Sequence, residues 1–182
     1  THCHIHSIGS TDDDHTALKW REAGVISVDT VINDAQKAGV SHLLCVGTDL
    51  ADSARAVKLA QTQPNVWASV GVHPHEAKRY SKSTDQLRQG CNLTDENNIV
   101  AIGEVGLDYH YEHSPKKDQI QVLEWFLDLA QAKSLPVVFH VREAFSDFWP
   151  VVDNFSNLQG AMHSFSSTST ELEATLKRGF YV

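Results

Sequence analysis

The chain has 182 residues, enough for one domain with a sizeable buried core. Its 15 basic and 23 acidic side chains give a net charge of −8, which argues against nucleic-acid binding through a broad basic surface. Cys3, Cys45 and Cys91 are odd in number and widely spaced, so they predict neither a disulfide framework nor a zinc finger and favour a cytoplasmic location. No apolar run approaches the roughly 18 residues of a membrane span, so we expect no membrane partner.

From about residue 25 onward, short β-type runs alternate with amphipathic helical stretches. The pattern predicts helices over residues 28–40, 48–64, 83–93, 114–136, 144–155 and 168–179. It predicts strands over residues 42–47, 66–72, 99–103, 136–141 and 160–165, after a first strand at the opening and before a seventh that begins at residue 180. Strands that alternate with helices favour parallel βαβ units in one domain, residues 1–182, arranged as a doubly wound sheet or a (β/α)8 barrel.

The chain opens on THCHIH, which places His2, His4 and His6 at alternate positions. On an extended strand these side chains share one face, roughly 6.5–7 Å apart, so two of them can close on one metal ion. They can equally be three solvated histidines, and the segment alone leaves both interpretations open. The run of acidic residues at Asp12–Asp14 is interpreted as a solvated turn.

Other chemistry-bearing side chains fall where predicted strands end. They are His73 and His75 after the third strand, Glu104 at the end of the fourth, His140 in the fifth and His163 in the sixth. The carboxyl ends of parallel strands meet at one edge of the sheet, where ligands and catalytic groups gather. Any one of these histidines could be a core residue, but Glu104 follows an apolar run, and a buried carboxylate needs a partner or a cation. The set therefore predicts a site at this edge.

The donor types in this set indicate a metal. Imidazole and carboxylate without thiolate suit divalent zinc, manganese or magnesium with positions left open for water. One carboxylate can bridge two such ions, which then clamp the attacking and leaving oxygens of a displacement at phosphorus. The ions also lower the pKa of a water that bridges them.

Five motifs in this order, THCHI, GVHPH, GEVGLDY, PVVFHVREA and HSFS, resemble the TatD family of metal-dependent deoxyribonucleases, which belongs to the amidohydrolase superfamily. The resemblance implies an α/β fold, a (β/α)8 TIM barrel with two divalent metal ions at its carboxyl face. Because the sequence stops in the predicted seventh strand, we expect a barrel truncated after about six and a half strands. The family's last metal-binding aspartate would then lie outside residues 1–182.

The resemblance also implies a ligand set. His2 and His4 would hold one ion, His140 and His163 the other, and Glu104 would bridge the two ions and serve as the catalytic carboxylate. Each of these residues lies within one of the five motifs.

Two further residues are implied to lie near the substrate phosphate, namely His73 of GVHPH and Arg142 of PVVFHVREA. A guanidinium can pair bidentately with phosphate oxygens, which suits Arg142 for this role. His6 falls where the family usually has a small polar or acidic residue, and it is predicted to be a bystander.

The function implied is hydrolysis of phosphodiester bonds in DNA, as a 3'-5' exonuclease on single strands or ends, by attack of a water that bridges two divalent metals. DNA, as single strands or ends, is the expected substrate, and no obligate protein partner is evident. One alternative is an amide or cyclic ureide hydrolase of the same superfamily, although many of these carry a carboxylated lysine where this chain has Glu104. The other alternative is a catalytically impaired metal-binding fragment.

Overall fold

A computed structural model describes residues 2–10, 15–25 and 27–182. The predicted turn at Asp12–Asp14 lies outside these residues. The described strands are β1 (His2–Cys3), β2 (Leu43–Val46), β3 (Val66–Val70), β4 (Ile99–Asp108), β5 (Val137–Arg142) and β6 (Gly160–Met162). The described α-helices are α1 (His15–Glu22), α2 (Val28–Lys37), α3 (Leu50–Thr62), α4 (Ala77–Tyr80), α5 (Thr84–Leu93), α6 (Lys116–Lys133), α7 (Phe145–Val152) and α8 (Ser169–Lys177).

The described strands form one parallel sheet in the sequential order β1 to β6. The sheet curls into part of a barrel, and helices connect each strand to the next. Tyr181 continues the order beyond β6, because it forms a parallel bridge with Ala161 and its carbonyl accepts a hydrogen bond of 2.8 Å from the backbone of Met162. The predicted alternation of strands and helices and the start of a seventh strand are thus confirmed.

Helix boundaries follow local capping chemistry. The carboxylate of Asp49 accepts from the backbone nitrogen of Asp52 at 2.8 Å and begins α3. The hydroxyl of Thr168 does the same for Glu171 at 3.3 Å and begins α8. None of the described helices is long and apolar enough to cross a membrane.

Two apolar clusters anchor the sheet beneath its carboxyl edge. The larger cluster packs α6 and α7 against β4 and β5, with Phe126, Phe139 and Phe148 fully buried. The smaller cluster packs α2 and α3 against β2 and β3, with Ile32 and Val57 among its buried members. Close packing on this scale holds the strand ends rigidly, which positions the side chains that project from them.

Strand β4 is longer than predicted, so the prediction that Glu104 ends it is wrong. The register of β4 against β5 shifts between Ile102 and Val105, and the pairing then continues to Asp108 opposite Arg142. The sequence pattern stopped at residue 103 because a glutamate and two glycines interrupt the apolar run there. Helix α1 and the short helical segments at residues 74–80 also lie outside the predicted elements.

Candidate metal centre

The first group of potential ligands consists of His2, His4 and Glu104, whose nearest donor atoms all lie within 4.8 Å of one another. The two imidazoles approach through their Nε2 atoms at 3.1 Å, and Nε2 of His2 lies 3.5 Å from Oε2 of Glu104. Nδ1 of His4 lies 2.9 Å from the carbonyl oxygen of Val46. A carbonyl only accepts, so this contact assigns the proton of His4 to Nδ1 and leaves the lone pair on Nε2 for a ligand.

The second group consists of His73, Glu104 and His140, again with donor atoms within 4.8 Å of one another. Nδ1 of His140 lies 3.0 Å from Oε1 of Glu104, and the rings of His73 and His140 are 4.3 Å apart. Glu104 therefore directs one carboxylate oxygen toward the histidines of each group. Its side chain is almost fully buried, with the residue only 4% exposed.

The backbone around Glu104 is held by the neighbouring strands. Its nitrogen donates to the carbonyl of Gly47 at 2.9 Å, and the hydroxyl of Ser69 donates to the carbonyl of Gly103 at 2.7 Å. A Cβ atom at Gly71 would lie 2.5 Å from the carbonyl carbon of Gly103, so only glycine permits this close approach. The position of the carboxylate is consequently fixed by the sheet.

Burial and neighbouring charges shift the pKa values of several groups at the site. Burial lowers the pKa of His2 to about 4 and that of His73 to about 3. Burial alone would raise the pKa of Glu104, but its hydrogen bond with His140 and the neighbouring imidazoles outweigh this and lower the pKa to about 2. Burial would likewise lower the pKa of His140, but the hydrogen bonds to Glu104 and Asp108 outweigh it and raise that pKa.

Not all of the predicted ligands come together in these groups. His163 directly follows β6 and is half-buried, and its ring stacks on that of His2 with centroids 3.6 Å apart. In the described residues it shares no three-ligand group with His140, whereas His73, predicted to contact substrate, does. Arg142 ends β5, and its guanidinium carbon lies 5.0 Å from the centroid of the Tyr111 ring.

Asp108 is the functional candidate that the sequence analysis missed. The residue is only 1% exposed, and its Oδ2 accepts from His140 at 2.8 Å and from His75 at 3.1 Å. The backbone nitrogens of His110 and Tyr111 donate to its other oxygen at 3.0 Å. Burial would raise the pKa of Asp108, but these hydrogen bonds outweigh it and lower the pKa to about 2. Its spacing of four residues from Glu104 along one strand was the available signal.

His6 does not continue the strand, because the chain turns into a 3-10 segment at Ile5–Ser7. Its buried Nε2 lies 3.0 Å from Oδ1 of Asp52, which also accepts from Arg55 at 2.8 Å. His6 is thus an interior residue with a charged partner, although its bystander role in catalysis stays a prediction. With His4 and Asp52 it forms a third cluster of potential ligands.

The residues present fit divalent metal ions on three counts. The donors are imidazoles and carboxylates, which such ions accept. The lowered pKa of His2 leaves this proposed ligand neutral at neutral pH, as a metal ligand must be. Finally, Nδ1 of His2 is buried with no hydrogen-bond partner among the described residues, so its ring has an unsatisfied polar atom at this site.

A comparison with protein families and curated proteins agrees with the motifs. A family model described as TatD related DNase matches residues 1–182. The 3'-5' ssDNA/RNA exonuclease TatD of Escherichia fergusonii is 34% identical over 156 residues, which cover 85% of this chain and 59% of that protein. The protein of the same name from Cronobacter sakazakii is 37% identical over 157 residues, with the same coverage. The chain thus spans about three fifths of the length of these relatives.

Solved structures agree with the fold. A hydrolase TatD family protein from Entamoeba histolytica superposes with a TM-score of 0.76 at 29% identity, covering 84% of this chain and 54% of that one. The TatD homologue YJJV from Escherichia coli gives a TM-score of 0.77 at 24% identity, covering 84% and 59%. These matches confirm the predicted barrel architecture with part of its strands. Because the family model matches all 182 residues, the chain belongs to the TatD related DNase family.

Proposed function

We propose that the protein is a metal-dependent 3'-5' exonuclease that hydrolyses phosphodiester bonds at the ends of single-stranded DNA. The observation that carries the proposal is the buried carboxylate of Glu104, which directs its two oxygens toward two separate histidine groups. The names of the curated relatives support the activity and its polarity. A single domain over residues 1–182 and a cytoplasmic location remain predictions.

The proposed ligand set keeps the roles implied by the resemblance. His2, His4 and Glu104 would hold one ion, and Glu104, His140 and His163 the other. His163 directly follows β6, which pairs with the strand of His140, and its ring stacks on that of His2. When bound, the two ions would lower the pKa of a water between them and stabilise charge on the phosphate oxygens.

The remaining side chains orient the ligands and the substrate. Asp108 accepts from Nε2 of His140, which fixes the ring so that Nδ1 faces Glu104. Arg142 and His73 would bind the phosphate, Arg142 through two parallel hydrogen bonds. A net charge of −8 disfavours wrapping of a duplex, whereas a chain end needs only this narrow site. Glu104 at the bridging position favours phosphate over amide chemistry.

The test compares the chain with its Glu104→Ala variant on single-stranded DNA labelled at either end, in magnesium or manganese, with and without chelator. We expect chelator-sensitive release of nucleotides from the 3' end, and loss of at least 100-fold in the variant because both metal positions lose their shared ligand. Glu173→Ala, which removes an exposed glutamate, is the matched control and should be fully active. Circular dichroism should show both variants folded.

Three results would overturn the proposal. Cleavage that resists chelator would exclude a metal-dependent reaction, and nearly normal turnover by Glu104→Ala would exclude its bridging role. Bound metal without any cleavage would indicate that the chain is instead a catalytically impaired metal-binding fragment.

A further inference from the structure

We propose that Tyr111 stacks a nucleobase of the substrate strand in a cavity beside the metal centre. This inference rests on the proposed function and adds the feature of the substrate that would be recognised. Tyr111 lies in the loop between β4 and α6, and its residue surface is 44% exposed. Its backbone nitrogen donates to Oδ1 of Asp108 at 3.0 Å, so an exposed aromatic ring is anchored to a buried carboxylate of the site.

The ring of Tyr111 borders a cavity of about 280 Å³. Its walls come from the end of β4, the following loop and the first turn of α6, namely residues 108, 109, 111, 112, 114, 115, 116 and 119. This volume is close to the lower end of the range for small-molecule sites, roughly 300–1,000 Å³, and suits one flat heterocycle rather than a larger ligand. The guanidinium of Arg142 and the ring of His113 also contact Tyr111 but lie outside this lining.

Cationic groups flank the aromatic surface. The guanidinium of Arg142 lies 5.0 Å from the centroid of Tyr111, and the ammonium of Lys116 lies 3.9 Å from that of Tyr109. Single-stranded nucleic acids are bound by this combination, in which aromatic rings stack bases and nearby cations follow the phosphates. Stacking needs no base-specific hydrogen bonds, so this cavity would accept any sequence.

Contacts through His75 link Tyr111 to the candidate metal centre. The ring of His75 is 5.5 Å from that of Tyr111, and its Nε2 lies 3.1 Å from the oxygen of Asp108 that also accepts from His140. A base on Tyr111 would therefore belong to a nucleotide at or next to the phosphate that the metal centre would hold. This adjacency favours a nucleobase over an unrelated aromatic ligand.

The test measures binding of a short fluorescent single-stranded DNA by anisotropy in chelator, so that no strand is cut. We expect Tyr111→Ala to weaken binding by about 5- to 150-fold, the range that corresponds to loss of one stacked base. Tyr111→Phe should bind within about twofold of the original chain, because the ring is retained. Tyr181→Ala removes a more exposed tyrosine outside the cavity lining and should bind normally.

A second DNA series, with one base removed at each of the last three positions in turn, separates stacking from a merely structural role. At the stacked position, removal of the base should weaken binding by the original chain and abolish the difference between it and Tyr111→Ala. An equal loss in Tyr111→Ala on every abasic strand would overturn the proposal, because Tyr111 would then act by positioning Arg142. Equal affinities of the two proteins for intact DNA would overturn it as well.

The outcomes also distinguish this inference from the proposed function. Chelator-sensitive cleavage without any dependence of binding on Tyr111 would remove the stacking proposal alone. Base-dependent binding through Tyr111 without cleavage would remove the exonuclease proposal alone.

Discussion

In the first group, the ring of His4 is fixed by the backbone carbonyl of Val46, whereas in the second group His140 lies between the carboxylates of Glu104 and Asp108. Burial keeps His2 of the first group neutral, but the two carboxylates raise the pKa of His140. Glu104, which both groups share, therefore has imidazoles in two different electrostatic environments on its two sides. The first group offers the lone pair of His4 Nε2, whereas the second places the imidazole of His140 between two carboxylates that favour its protonated form.

The largest effect is expected for His163, which is proposed to bind the second ion together with Glu104 and His140. We expect His163→Ala to reduce bound metal from two equivalents to one, measured by elemental analysis, and to remove most of the activity. His73→Ala is the matched variant and should retain both ions while raising KM, since His73 is proposed to contact phosphate.

The reverse result is what the distances among His73, Glu104 and His140 alone would favour. If His73→Ala loses one ion and His163→Ala keeps two, His73 is the metal ligand and His163 is not.

Asp108→Asn should have a smaller effect, and it should affect metal binding in the second group only. The amide oxygen is an uncharged and weaker acceptor for His140 than the carboxylate, so the second ion should bind about 10- to 100-fold more weakly. Titration with manganese should show one weakened and one unchanged site. Asp128→Asn, at an exposed position on α6, is the control, and equal weakening of both sites in Asp108→Asn would refute the assignment.

The smallest effect on activity is expected for His6→Ala. The variant removes a buried partner of Asp52, so the free energy of unfolding in urea should fall by about 1–3 kcal/mol while cleavage changes less than threefold. His110→Ala breaks an exposed contact with Glu143 and should change stability by less than about 0.5 kcal/mol. Loss of bound metal in His6→Ala would show that His6 belongs to the metal site.

Much of the fold was predictable because it follows local rules. Helical spacing of apolar residues and capping residues located α3, α6 and α8 to within a few residues. Helix α1 has only one buried residue, so its sequence carried little apolar signal. The full length of β4 depends on a shift of register against β5, which is a long-range pairing that no local pattern encodes.

The sequence by itself determined the residue types of the site, the order of the strands that carry them and the family to which the chain belongs. Only the tertiary structure decided which side chains meet. It placed Asp108 against His140, His163 on the ring of His2, and His6 in the interior. The physical reason is that alternation along a strand assigns a side chain to a face, whereas distances between strands depend on curvature, register and packing of the whole sheet.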